Sequence, residues 1–172
     1  MNGFFLILPL FLIRYGLLAL LNRDALKRAA FTPSMQGKGK IAYYLYQIST
    51  AALLIYPVFC PVKVDMLWFL IGLAIYMSGI LLCVVSTVNF STPSDSGINL
   101  NGLYRISRNP MYIAYFLYFL GCVFLTQSLV LLAILIVFQI SSHWIIIAEE
   151  KWCKKEFGER YLSYIKSVRR YL

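Results

Sequence analysis

Residues 66–88 read MLWFLIGLAIYMSGILLCVVSTV, a run without a charged side chain that is closed by Asp65 on one side and Asn89 on the other. About 20 mainly apolar residues suffice for a helix to cross the hydrocarbon layer. The run does not alternate polar and apolar residues as a barrel strand does, and an open strand could not satisfy its backbone in lipid. The stretch therefore predicts a membrane-spanning helix.

Comparable runs lie on both sides of it. Gly3 to Leu21 and Ile41 to Cys60 precede it, the latter closed by Pro57 and Pro61; Met111 to Leu125 and Leu129 to Ala148 follow it. Only Thr126, Gln127 and Ser128 separate the last two, which predicts a tight antiparallel hairpin. From Glu149 onward the chain turns polar. There Phe157, Tyr161, Tyr164, Ile165, Val168 and Leu172 recur at helical spacing among basic residues, the pattern of an amphipathic helix lying on a membrane surface. The expectation is an all-α membrane protein: a single domain over 1–172 with about five transmembrane helices and a C-terminal amphipathic helix. Residues 1–88 form three scaffold spans.

Composition agrees. Of 172 residues, 60% are hydrophobic and only 13% charged, with a mean hydropathy of +0.73, which is unsuited to a soluble surface. The net charge of +9 could suggest nucleic acid, yet the basic residues cluster beside apolar runs. Arg23, Lys27, Arg28, Lys38 and Lys40 follow the first run. Arg105 and Arg108 follow the third, and Lys151, Lys154, Lys155, Arg160, Lys166, Arg169 and Arg170 follow the fifth. Lys63 falls on the opposite side and Arg14 within the first run. The positive-inside rule then predicts a multi-pass protein with its N-terminus outside and its C-terminus cytoplasmic. The first run has no basic leader and no small-residue cleavage site after it, so it reads as a retained span. Cys60, Cys83, Cys122 and Cys153 are too scattered to suggest a disulfide or a metal site.

Ionisable groups at membrane depth are costly, which draws attention to Arg105, Arg108, His143, Glu149 and Glu150 beside the last spans. Arg105 and Arg108 serve either as positive-inside anchors or as functional cations. His143, followed by Trp144, reads as a buried histidine with a hydrogen-bonded neighbour. The two glutamates oppose the local charge trend and contribute little to topology, so a specific task suits them better. Arg14 either snorkels to a surface or faces the bundle and a partner.

One combination goes beyond membrane statistics: Gly102-Leu103-Tyr104-Arg105-Ile106-Ser107-Arg108-Asn109-Pro110-Met111-Tyr112, then Glu149-Glu150, then Phe157-Gly158-Glu159-Arg160-Tyr161. Over roughly Asn89 to Leu172 it resembles the isoprenylcysteine carboxyl methyltransferase and phospholipid methyltransferase superfamily of integral-membrane methyltransferases. That superfamily carries Gly-x-Tyr-x-x-x-Arg-His-Pro-x-Tyr, a Glu-Glu pair and Phe-Gly-x-x-Tyr. The resemblance implies methyl transfer from S-adenosyl-L-methionine to a lipophilic acceptor, an isoprenylcysteine carboxylate or similar, without a Rossmann domain. It makes residues 89–172 the cofactor-binding and catalytic half.

By motif position, the cofactor contacts are Asn89, Ser96, Gly97, Ile98, Asn99, Tyr104, Asn109, Pro110, Met111, Tyr112 and Glu149. Arg108 and Glu150 are the catalytic candidates and Arg105 the substrate-binding one. Membrane lipids and a lipid-modified or lipophilic small molecule are the implied partners; a metal and nucleic acid are not. Two positions depart from the family pattern. Asn109 stands where a histidine is usual before the proline, and Ser96 where a histidine is frequent. Asparagine cannot act as a base near neutral pH, but an acceptor that is already ionised, a carboxylate or thiolate, needs none. Two other readings stay open: a nicotinamide-dependent membrane reductase related to sterol reductases, and a non-catalytic membrane scaffold. A transporter fits less well, because no repeat provides inverted symmetry.

Overall fold

The computed structural model describes residues 2–33, 35, 37–94 and 97–172. The architecture is all-helical. Helix α1 runs Phe4–Leu21, α2 Arg23–Ala30, α3 Lys38–Ile55, α4 Met66–Ser91, α5 Pro110–Thr126, α6 Leu129–Phe157 and α7 Glu159–Ser167. A 3-10 turn, Tyr56–Phe59, extends α3, and another, Gly102–Arg105, lies between α4 and α5. Among the described residues four helices are long and apolar enough to cross a membrane: α1, α3 with its extension, α4 and α6. With 17 residues, α5 measures about 26 Å at 1.5 Å per residue and is the short fifth member.

Lipid is also the solvent that the surface demands. Leu20 is 87% exposed, Leu129 81% and Met66 80%, and apolar area spread this widely is not carried by soluble monomers.

The tightest packing joins α4 to α5. A methyl group on Gly79 would come within 2.5 Å of the Tyr118 amide nitrogen, and one on Gly121 within 2.5 Å of Tyr76 Cα. Small residues at a crossing let two backbones approach in lipid, where hydrophobicity no longer drives helices together. Tyr76 and Tyr118, in tilted ring contact beside those glycines, both donate their hydroxyls to the Leu6 carbonyl of α1, Tyr76 at 2.8 Å. Helix α6 packs mainly against α3, where Tyr46 stacks on Phe138 with 5.5 Å between ring centres. The α5–α6 pair is thus joined by the predicted tight turn, with Gln127 left-handed and Ser128 capping the Leu131 amide, while each member finds its main partner elsewhere.

Three local features differ from the expectation. The segment after α1 is helical, because Asn22 caps it: its side-chain oxygen accepts from the Asp24 and Ala25 amides, and Asp24 and Lys27/Arg28 sit at the ends that suit the helix dipole. Helix α6 continues past Ala148 to Phe157, so Glu149 and Glu150 project from a helix rather than from a connection. Helix α7 stops at Ser167, and its apolar face does not lie open for a membrane surface. Tyr161 and Tyr164 are buried against Ile98, Cys153 and Phe157 instead, and Val168 belongs to an extended tail.

Candidate active site

The polar segments gather at one end of the bundle. The last turn of helix α4 carries Asn89, whose side-chain oxygen accepts the Leu103 amide at 2.9 Å. Gly102 has φ +48°, and any side chain there would collide with the Asn89 amide group. This pair folds the loop back so that Tyr104 is buried. Earlier in the loop, Ser94 closes a turn by donating its amide and hydroxyl to the Ile98 carbonyl, at 3.0 and 2.7 Å.

The C-terminal tail clasps the Arg108 region. The Arg108 amide donates to the Arg169 carbonyl at 2.9 Å, and Asn109 Nδ2 to the Arg170 carbonyl at 3.1 Å. Tyr164 donates its hydroxyl to the Tyr104 carbonyl at 2.6 Å. The Arg108 side chain is divided: Nε and Nη2 reach Glu150 Oε1 at 3.1 and 2.9 Å, while Nη1 donates to the Ile165 and Val168 carbonyls at 3.2 and 2.8 Å. Arg170 reaches the same carboxylate, with Nη2 2.8 Å from Oε2. Glu150 is only 5% exposed, so two guanidiniums compensate one buried carboxylate. The hydrogen bond to Glu150 raises the Arg170 pKa. Burial pushes the Tyr164 phenol up to about 12 and raises that of Tyr104, so both are neutral donors and aromatic faces at physiological pH.

Between these segments lies a cavity of about 540 Å³, within the range of roughly 300–1,000 Å³ usual for small-molecule sites. Its wall includes Gly97, Ile98 and Asn99 from the loop, Tyr104, then Arg108, Asn109, Met111 and Tyr112 at the start of α5, and Glu149 and Glu150 on α6. Tyr112 donates to Glu149 Oε1 at 3.1 Å. The side-chain oxygen of Asn99 is buried without a hydrogen-bond partner among the described residues. A buried acceptor left unpaired is costly, and a donor on a ligand would satisfy it.

Ten of the sequence-selected residues therefore share one cavity. Asn89 and Pro110 stand behind the wall and Arg105 is exposed outside it; none of the three is among the lining residues. Ser96 lies outside the described residues. His143 pairs its Nδ1 with the Tyr171 hydroxyl at 2.7 Å, away from the cavity lining.

Other lining residues were not among the sequence-derived site residues. Arg14, Arg28, Ala29, Phe31 and Tyr46 from the N-terminal half line the cavity too, as do Trp152, Phe157, Tyr161 and Tyr164. Arg14 faces the bundle: Nη1 donates to the Tyr115 hydroxyl at 2.7 Å and Nη2 to the Ala29 carbonyl at 2.8 Å. It sits in a π-helical stretch, Leu12–Leu17, a distortion that recurs at functional sites.

A phospholipid methyltransferase family profile matches residues 67–160, more than half of the chain. The chain belongs to the phospholipid methyltransferase family. It is accordingly a membrane methyltransferase of a family that acts on lipid-like substrates. The match starts within α4, earlier than the motif resemblance, and takes in the Asn99 loop, the Tyr104–Tyr112 segment and both glutamates. Arg14, Arg28, Tyr164 and Arg170 fall outside it. Comparison with curated proteins and with solved structures gave no match.

Proposed function

We propose that the cavity binds S-adenosyl-L-methionine and that the chain transfers its methyl group to a lipophilic acceptor, an isoprenylcysteine carboxylate or a similar amphiphile. The observation that carries this reading is the convergence of Asn99, Tyr104, Tyr112 and Glu149, from three separate segments, on one cavity at the polar end of a membrane bundle. When bound, the cofactor supplies an electrophilic methyl on a sulfonium cation. The residues present suit its parts. Asn99 offers an oxygen, without a partner among the described residues, that a ribose hydroxyl or an adenine amine would fill. Glu149, with one carboxylate oxygen held by Tyr112, can accept from the ribose or pair with the ammonium group. Tyr104 and Tyr112 offer aromatic faces to adenine or to the sulfonium.

Arg108 lines the cavity as a cation, and Glu150 fixes its orientation through the two-nitrogen contact. Asn109 has no titratable group, and its amide donates to the Arg170 carbonyl. An acceptor whose nucleophile is already ionised suits this site, because it needs positioning rather than a base. By the positive-inside rule the cavity end faces the cytoplasm, with the N-terminus outside, so the cofactor enters from water and the acceptor sideways from lipid.

Membranes containing the chain, given S-adenosylmethionine labelled in its methyl group, test the reading with a farnesylated cysteine derivative and with phosphatidylethanolamine. The expected product carries label that alkali releases as methanol, the mark of a methyl ester. Alkali-stable label in the amine lipid would move the acceptor to an amine, and no transfer to either would count against the reading.

A further inference from the structure

A guanidinium in a spanning helix requires compensation, and Arg14 makes no direct ion pair: Glu149 attracts it only from beyond ion-pair distance. Among the described residues no carboxylate lies within 4.0 Å of Arg14 or of Arg28; the ion pairs there are Lys27 with Asp24 and Arg108 and Arg170 with Glu150. Both arginines line the cavity. Their partners are neutral: Tyr115 and the Ala29 carbonyl for Arg14; the Phe90 carbonyl at 3.1 Å and the Phe90 ring, 5.1 Å from Cζ, for Arg28. Desolvation lowers the Arg28 pKa and outweighs the opposing pull of Tyr104 and of the more distant Asp24 carboxylate. Arginine carries five N–H donors, and among the described residues hydrogen bonds take up two on Arg14 and one on Arg28. Two cations with spare donors thus face a ligand-sized space. The cavity's acidic residues are Glu149, held by Tyr112, and Glu150, held by Arg108 and Arg170.

We propose that Arg14 and Arg28 form an oxyanion receptor in this cavity, which takes a carboxylate or phosphate of a bound ligand. Neither residue falls in the segment that the family profile matches, so the receptor belongs to this chain's own N-terminal half. The anion comes from one of two sources, the amino-acid end of the cofactor or the head of an amphiphilic acceptor. The proposal rests on the cavity being the ligand site.

Binding of the purified full chain in nonionic detergent separates the sources. One arm compares S-adenosylhomocysteine with S-adenosyl-3-thiopropylamine, its decarboxylated analogue, which keeps the ammonium and lacks only the carboxylate. The other compares hexadecyl phosphate with hexadecanol. In at least one arm the wild type should prefer the anionic ligand by about tenfold or more, as expected for hydrogen bonds to a charged group. Arg14→Gln should abolish that preference, Arg28→Gln reduce it and Arg14→Lys retain part of it. Loss confined to the first arm assigns the anion to the cofactor; loss confined to the second assigns it to the acceptor. If Arg14→Gln fails to fold, Arg28→Gln, on the peripheral helix α2, still reports. Preferences unchanged in both glutamine variants, or no preference in the wild type, would overturn the receptor. A wild type that binds neither nucleoside yet discriminates hexadecyl phosphate in an Arg14-dependent way would sink the methyltransferase reading and leave the receptor standing.

Discussion

Arg108 and Glu150, from the loop before α5 and from the far part of α6, meet in a two-nitrogen contact, with Nε and Nη2 at 3.1 and 2.9 Å from Oε1. Their side chains are 8% and 6% exposed, and Arg170 completes the carboxylate from the tail. Removing one partner of a buried pair strands the other, at a cost of about 3–5 kcal/mol. Glu150→Ala should therefore lower the thermal midpoint in detergent sharply. Arg170→Ala should lower it much less, because Arg170 is 36% exposed and keeps water as a partner.

The α4–α5 crossing gives a steric prediction. Gly79→Ala and Gly121→Ala push a methyl into the opposing backbone and should cost about 1–3 kcal/mol each. Gly16→Ala, with nothing within 4 Å of the added carbon, should leave the midpoint unchanged. Thermal unfolding of the three variants side by side checks the order.

Asn99→Ala should move stability and binding in opposite directions. The change removes a buried acceptor that has no partner among the described residues, which should leave the ligand-free protein as stable or raise its stability by about 1 kcal/mol. The same change should weaken S-adenosylhomocysteine binding, read by titration. A loss of stability in the ligand-free protein would show that Asn99 is structural.

Truncation after Ser167 removes the carbonyls of Val168, Arg169 and Arg170 that hold Arg108 and Asn109, and with them the Tyr171 partner of His143. The shortened chain should still insert, since every span lies before the cut, but its Arg108 loop should become accessible to limited proteolysis. Equal protection in the two chains would mean that the tail does not hold the loop.

The spans were legible because lipid imposes one requirement, a long apolar helix, and runs such as 66–88 meet it without help from distant residues. The cavity's C-terminal wall was legible for a different reason: Tyr104, Tyr112 and Glu149 sit in motifs with fixed spacing. The place of Arg14 and Arg28 in the cavity lining was not, since it depends on how α1 and α2 pack against α4 and on a π-helical stretch that no local pattern announces. Helix α2 had a readable signal in Asn22, a favoured capping residue two positions before an acid. The end of α7 had none. Its pattern runs on to Leu172, and the chain leaves the helix where Arg108 takes up the Ile165 and Val168 carbonyls.

The central claim is that this cavity holds the sulfonium cofactor, and titration of the purified protein with S-adenosylhomocysteine tests it most directly, with Glu149→Ala as the control and a nicotinamide dinucleotide as the competing ligand. The account predicts saturable binding that stabilises the fold, by about 2.7 kcal/mol at a ligand concentration of 100 times Kd, and that is weakened in Glu149→Ala. Binding of the dinucleotide alone, or of neither ligand, would contradict it.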